Sequence, residues 1–158
     1  MNIDKKVVDK LEEEVRIAEI LGEIPVGAVV FNDNGNIISS GHNTRQSTSN
    51  VLGHAEINAI LEAESKIGDW RLNGYSLLVS LEPCDMCSII IKEVRIDNVF
   101  YFVKSNNSKQ INLVNFKYIE DAYYNEYFNK ILVSFFNNKR WKLLFLCYNN
   151  QQEVSYGL

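Results

Sequence analysis

His54 and Glu56 stand two residues apart, and Cys84 and Cys87 form a Cys-x-x-Cys pair 30 residues after His54. One imidazole and two thiolates are ligands that zinc accepts. Three protein ligands leave the fourth tetrahedral position open for a water, which is the arrangement of a catalytic site. Zinc in that setting lowers the pKa of its water towards ~7. Glu56 is spaced to act as a base beside the metal and not as a fourth ligand. The expected cofactor is therefore one zinc ion per chain, held by His54, Cys84 and Cys87. Two other readings fit the cysteines: a redox pair, or half of a structural zinc knuckle. The chain has only two histidines, so a four-ligand structural site would have to recruit His42 or Cys147.

The surrounding pattern supplies elements to carry these residues. Val7, Val8, Leu11, Val15, Ala18 and Leu21 recur at helical spacing over residues 3–21, with the run Glu12-Glu13-Glu14 read as a solvated face. Residues 25–31 and 37–41 read as two strands joined by the turn-rich Asn32–Asn36 stretch, where Asn-Gly favours a tight hairpin. Gly27 and Ala28 suit either close helix packing or room for a flat base. Residues 44–53 are polar and aperiodic, a loop. His54 to Ile67 reads as a largely buried helix through Ala55, Ile57, Ala59, Ile60, Leu61 and Ala63, stopped by Gly68. Trp70 reads as a packing residue.

Residues 75–81 form a near-continuous apolar run, as for a central strand covered on both faces. A helix opens at Cys84 and reaches Val94, so Cys84 and Cys87 share a face of its first turn, where the positive helix end favours thiolates. Residues 97–103 read as a further strand, parallel to the previous one because a helix connects them. Residues 104–110 are a polar loop, and residues up to 119 are ambiguous. A long helix starts near Glu120 and carries the basic cluster Lys139-Arg140-Trp141-Lys142. Cys147 reads as a small buried hydrophobe, and residues 149–158 as a frayed tail. All three candidate ligands thus fall at helix starts, on one edge of a sheet.

A length of 158 residues suits one domain, 1–158, with a sizeable core. No apolar run approaches the ~20 residues of a membrane span. No apolar segment follows Lys5-Lys6 as in a secretory signal. Three cysteines, two of them in Cys-x-x-Cys, favour reduced thiolates and a cytoplasmic setting over disulfides. A net charge of −4 argues against broad, non-specific nucleic-acid binding without excluding a local basic patch.

H-x-E followed by P-C-x-x-C is the recognised signature of zinc nucleobase deaminases. Together with Glu23-Ile24-Pro25-Val26-Gly27-Ala28-Val29, Gly41-His42-Asn43, Asp69-Trp70-Arg71-Leu72 and Leu81-Glu82-Pro83, it makes the chain resemble the cytidine deaminase-like superfamily. Within it, residues 5–104 and the segment around Ile131–Phe136 are most similar to the bacterial tRNA-specific adenosine deaminases. The resemblance implies an α/β fold of three layers, α/β/α, with a mixed five-stranded sheet flanked by helices. It implies His54, Cys84 and Cys87 as zinc ligands, Glu56 as the proton shuttle and Asn43 as a holder of the target base, with Val26, Ala55 and Pro83 as further substrate-binding residues. It also implies a homodimer with the site near the subunit interface, acting on the anticodon loop of transfer RNA to convert adenosine to inosine at the wobble position. Two segments depart from the pattern: Val51-Leu52-Gly53 stands where the family has Pro-Thr-Ala, and residues 104–109 lack the family's glycines. A free nucleobase or nucleoside (guanine, cytosine or adenosine) is the alternative substrate. A third reading, a zinc-stabilised binding domain without catalysis, is opposed by the presence of Glu56.

Overall fold

The structure, a computed structural model, describes residues 3–105 and 115–153, with side chains through Lys139. Nine elements follow one another: α1 (Lys5–Ile20), β1 (Gly27–Asn32), β2 (Ile37–His42), α2 (Ala55–Ile67), β3 (Tyr75–Leu81), α3 (Asp85–Glu93), β4 (Asn98–Val103), β5 (Asn115–Tyr118) and α4 (Ala122–Glu153). The five strands form one mixed sheet in the order β2-β1-β3-β4-β5. β1 is antiparallel to β2 and β3, and β3, β4 and β5 run parallel.

Strand alternation builds two cores from one sheet. Ala28, Val30, Leu77, Val79 and Val99 point to one face and pack with Ala55, Ile57, Ala59, Ile60 and Ala63 of α2 and Cys87 and Ile91 of α3. Val29, Phe31, Leu78, Phe100 and Phe102 point to the other and pack with Val7, Val8, Leu11 and Val15 of α1 and Phe128 of α4. The fold is thus the expected three-layer α/β/α arrangement, and β3 is buried on both faces as its apolar run requires.

Two glycines set the layer spacing. A Cβ on Gly41 would lie 2.7 Å from Ala59 N and 2.8 Å from Ala55 O, so α2 sits hard against β2 only because nothing is there. A Cβ on Gly27 would lie 2.9 Å from Glu14 Cβ and 3.0 Å from Leu11 O, which assigns this small residue to packing against α1.

The tight hairpin stands as expected, and within it Gly35 N donates to Asn32 O, Asn32 N donates to Asn36 O, and Gly35 has positive φ (73°), with a bulge between Val30 and Phe31. Several other expectations are corrected. Glu14 is not on a solvated face: it is 5% exposed and turned under β2. Leu61 is 57% exposed, on the outer side of α2. Trp70 is 48% exposed, with the Arg71 and Arg95 guanidiniums 4.7 and 5.2 Å from its ring centre. It packs on cations at the surface and not into the core. β5 occupies the stretch that has no clear period. The side chains of Arg140, Trp141, Lys142 and Cys147, the loop residues 106–110, the side chains of 149–153 and all of 154–158 lie outside the described residues.

Candidate metal and deamination site

The parallel pair β3–β4 and the antiparallel β1–β2 both deliver chain to the same end of the sheet, where α2 and α3 begin. His54 is the N-cap residue of α2 and Cys84 that of α3, each extended and with no side-chain cap bond of its own. An imidazole and a thiol at those positions are aimed out of the helix start and not back at it. Cys87, one turn into α3, is buried. The Cys87 and Cys84 sulfurs lie 3.4 and 3.8 Å from His54 Nδ1. All three donor atoms fall within 4.8 Å of one another, the one such group among the described residues.

This triangle has the size zinc needs. Zinc–sulfur bonds of ~2.3 Å and a zinc–nitrogen bond of ~2.05 Å at a tetrahedral angle put nitrogen and sulfur about 3.6 Å apart. The two observed separations bracket that value. Cys84 is already poised as a thiolate: hydrogen bonds from Cys87 and His54 pull it down to about 4. The Cys84 sulfur in turn holds the His54 imidazole above its ordinary value. Cys87 is pushed up by its contact with Cys84 and by burial, so it carries the proton that metal binding displaces.

Glu56 sits in the first turn of α2, 4% exposed, with its carboxyl meeting the Cys87 thiol. Burial pushes it up to about 7, further than its own backbone N–H and the His54 charge pull it down. A carboxyl in that range both accepts and returns a proton at neutral pH.

Asn43 is placed between the strands and this helix start. Its Nδ2 donates to Ile24 O, its backbone N donates to Val26 O, and its Oδ1 accepts from Ala55 N. Among the described residues, one lone pair and one hydrogen of its amide have no partner. The Val26, Ala55 and Pro83 side chains are buried.

Three further buried acidic residues have no role assigned in the sequence, although Glu23 and Glu82 lie within the segments that carry the resemblance. Glu14 accepts from the Ser40 hydroxyl at 2.6 Å and meets His42 Nδ1 at 2.7 Å and Lys10 Nζ at 3.2 Å. Glu23 accepts from Gln46 N and Ser47 N at 3.1 and 2.7 Å. Glu82 accepts from Ser105 N at 2.9 Å. Nothing local in the sequence marks Glu14, which stands in a glutamate run. Arg45 is a fourth addition: exposed on the 44–53 loop, it places positive charge within electrostatic reach of His54.

Residues 1–103 match the cytidine and deoxycytidylate deaminase zinc-binding region. The chain belongs to this deaminase family. The group at His54, Cys84 and Cys87 could hold the zinc that this family's domain binds. A tRNA-specific adenosine deaminase of Bacillus subtilis is 39% identical over 101 residues, covering 64% of this chain and 62% of that relative's length. A solved structure from a study of A-to-I editing by tRNA:A34 deaminases at the wobble position of transfer RNA is 27% identical, with a TM-score of 0.73, over 82% of this chain and all of that one. A Bacillus subtilis guanine deaminase structure is 29% identical, with a TM-score of 0.60, over 73% of each chain.

Proposed function

We propose that this deaminase converts adenosine to inosine at the wobble position of a transfer RNA anticodon loop. The observation that carries the reaction type is the His54–Cys84–Cys87 triangle with the buried carboxyl of Glu56 against it. Similarity to tRNA adenosine deaminases in sequence and in structure supports the substrate. The Arg45 cation beside the site fits a substrate that carries phosphates, which a free base does not.

His54, Cys84 and Cys87 would hold the zinc ion. Bound zinc supplies Lewis-acid activation of water at neutral pH. Glu56 takes a proton from the attacking water and places it on purine N1 as oxygen adds at C6. The second water proton passes through Glu56 to the exocyclic amine, the C6–N bond breaks, and ammonia leaves with inosine as product. Asn43, already fixed by Ile24 O and Ala55 N, offers its remaining amide hydrogen and lone pair to the base edge. Val26 and Pro83 would border the base with apolar surface, while Ala55, fully buried, acts through its N–H on Asn43.

A second reading, deamination of a free base, is favoured by the likeness to the guanine deaminase structure and by the net charge of −4. Incubation with transfer RNA and with free adenosine, cytosine and guanine separates the two. The main reading expects inosine in the RNA and ammonia release that weakens steeply with salt, since phosphate contacts release counterions. Salt-independent turnover of a free base with no inosine in RNA would replace it. We also propose a reduced, cytoplasmic setting, supported by the free thiols of Cys84 and Cys87, and a homodimer, supported by the exposed apolar Val51, Leu52, Leu61 and Ile89 on the segments that carry the site. A solution mass of one chain would refute the dimer.

A further inference from the structure

The 44–53 loop has no apolar anchor. Every residue from Arg45 to Leu52 is exposed, although the loop leads into His54 and carries Arg45, whose charge reaches that imidazole. It coils on itself: Thr48 N and Asn50 N donate to Thr44 O and Arg45 O, and Thr44 N to Gly53 O. Such a coil holds its own shape and leaves its position open. Its position comes from outside. Asn58 Nδ2 reaches Thr44 Oγ1 at 3.0 Å, and Glu23 takes the two successive N–H groups of Gln46 and Ser47, one on each carboxylate oxygen.

Glu23 is 1% exposed. A carboxylate buried that deeply is costly unless hydrogen-bonded, and bonds to a charged acceptor are about twice as strong as neutral ones. Here both oxygens are satisfied by loop amides. The residues after Glu23 continue the connection to the site. Ile24 O accepts Asn43 Nδ2, Val26 O accepts Asn43 N, and Asn43 Oδ1 accepts Ala55 N between His54 and Glu56. One short segment, residues 23–26, therefore fixes both the loop and the asparagine at its base.

We infer that Glu23 is a positioning residue for this deaminase, whose buried carboxylate sets the 44–53 loop, and with it Arg45 and Asn43, in the geometry that receives the nucleotide. Glu23 touches neither a metal ligand nor Glu56 among its described contacts, so it acts on substrate capture and not on the proton transfers. The inference rests on the RNA deaminase reading for its substrate and on the Glu23 bonds for its mechanism.

Glu23→Gln tests it. Glutamine keeps the size, offers one acceptor oxygen in place of two, and turns an NH2 group towards a backbone N–H. Three quantities are read: hydrogen exchange at the Gln46 and Ser47 amides, kcat and KM on an anticodon stem-loop, and zinc content. The expected result is faster exchange at those two amides and a KM raised about tenfold, the equivalent of one lost hydrogen bond to a charged group. Zinc content stays unchanged, and kcat stays within about twofold, as for an interaction equal in ground and transition states. Glu23→Asp keeps the charge with a shorter reach and gives an intermediate KM, and it carries the test if Glu23→Gln does not fold. Protected amides in the variant, an unchanged KM, or a joint loss of zinc and kcat would each overturn the inference. A wild-type protein that deaminates free guanine and no RNA would refute the RNA reading alone. Amide exchange and the KM for guanine then decide on Glu23 by the same criteria.

Discussion

Glu56 and Glu23 are the same side chain at nearly the same burial, 4% and 1% exposed. Their acidities move in opposite directions. At Glu56 burial dominates, and the group is pushed up to about 7. At Glu23 burial also pushes up, but the Ser47 and Gln46 N–H groups outweigh it and hold the carboxyl below its ordinary range. The difference is the number of donors: two backbone N–H groups make a permanent anion that scaffolds, while a carboxyl without that pair keeps a proton to exchange. On the proposed reading the helix starts around Glu56 do the chemistry, and the Glu23 carboxylate positions the 44–53 loop.

The largest break in this contrast comes from the metal. Cys84→Ala removes one of three ligands, and the expected result is loss of both zinc and deamination, read by metal analysis and ammonia release. Chelation of the unmutated protein should do the same and lower the melting temperature, since a ligand at 100 times its Kd contributes ~2.7 kcal/mol to the folded state. Retention of zinc by Cys84→Ala would exclude the triangle as the metal site.

Glu56→Gln is next. It keeps the shape and removes the exchangeable proton, so kcat should fall by about 10²–10⁴ with zinc still bound, the range for general acid–base groups. Near-normal turnover would mean that Glu56 is a scaffold carboxyl like Glu23.

Acid titration probes the other side. The folded-state pKa of Glu23 lies below its ordinary 4.5, so its stabilisation is complete above that value and is lost as pH falls through the lowered folded value. Glu14, whose burial is outweighed by Ser40, His42 and Lys10, adds a loss of the same sign. Denaturant midpoints measured from pH 6 downward should decline less steeply in Glu23→Gln than in the unmutated protein. Identical slopes would show that the two loop amides do not hold a charge.

The smallest effect is expected far from both carboxylates. Trp70→Ala should cost about 0.5–1 kcal/mol, the value of exposed cation–π contacts, and not the ~3–5 kcal/mol of a tryptophan in a core. A loss of core size in a melting experiment would show that the two cation contacts are not what Trp70 contributes.

The periodic segments were legible. The α1 stripe, the central β3 run and the stop at Gly68 depend on neighbours close in the chain, and all three stand where the pattern puts them. β5 was not legible, because four residues with mixed exposure become a strand only by pairing with β4. Glu14 misled for a related reason: it sits in a glutamate run on α1, and only the approach of β2 supplies Ser40 and His42 as partners.

What the sequence determined by itself is the metal chemistry. His-x-Glu and Cys-x-x-Cys set ligand types by local spacing, and the elements between them are strongly patterned. The tertiary structure decided which buried carboxyl is raised, Glu56, and which is lowered, Glu23. That choice depends on how many backbone N–H groups reach each carboxylate, and those groups come from residues more than 20 positions away, as Gln46 and Ser47 do for Glu23.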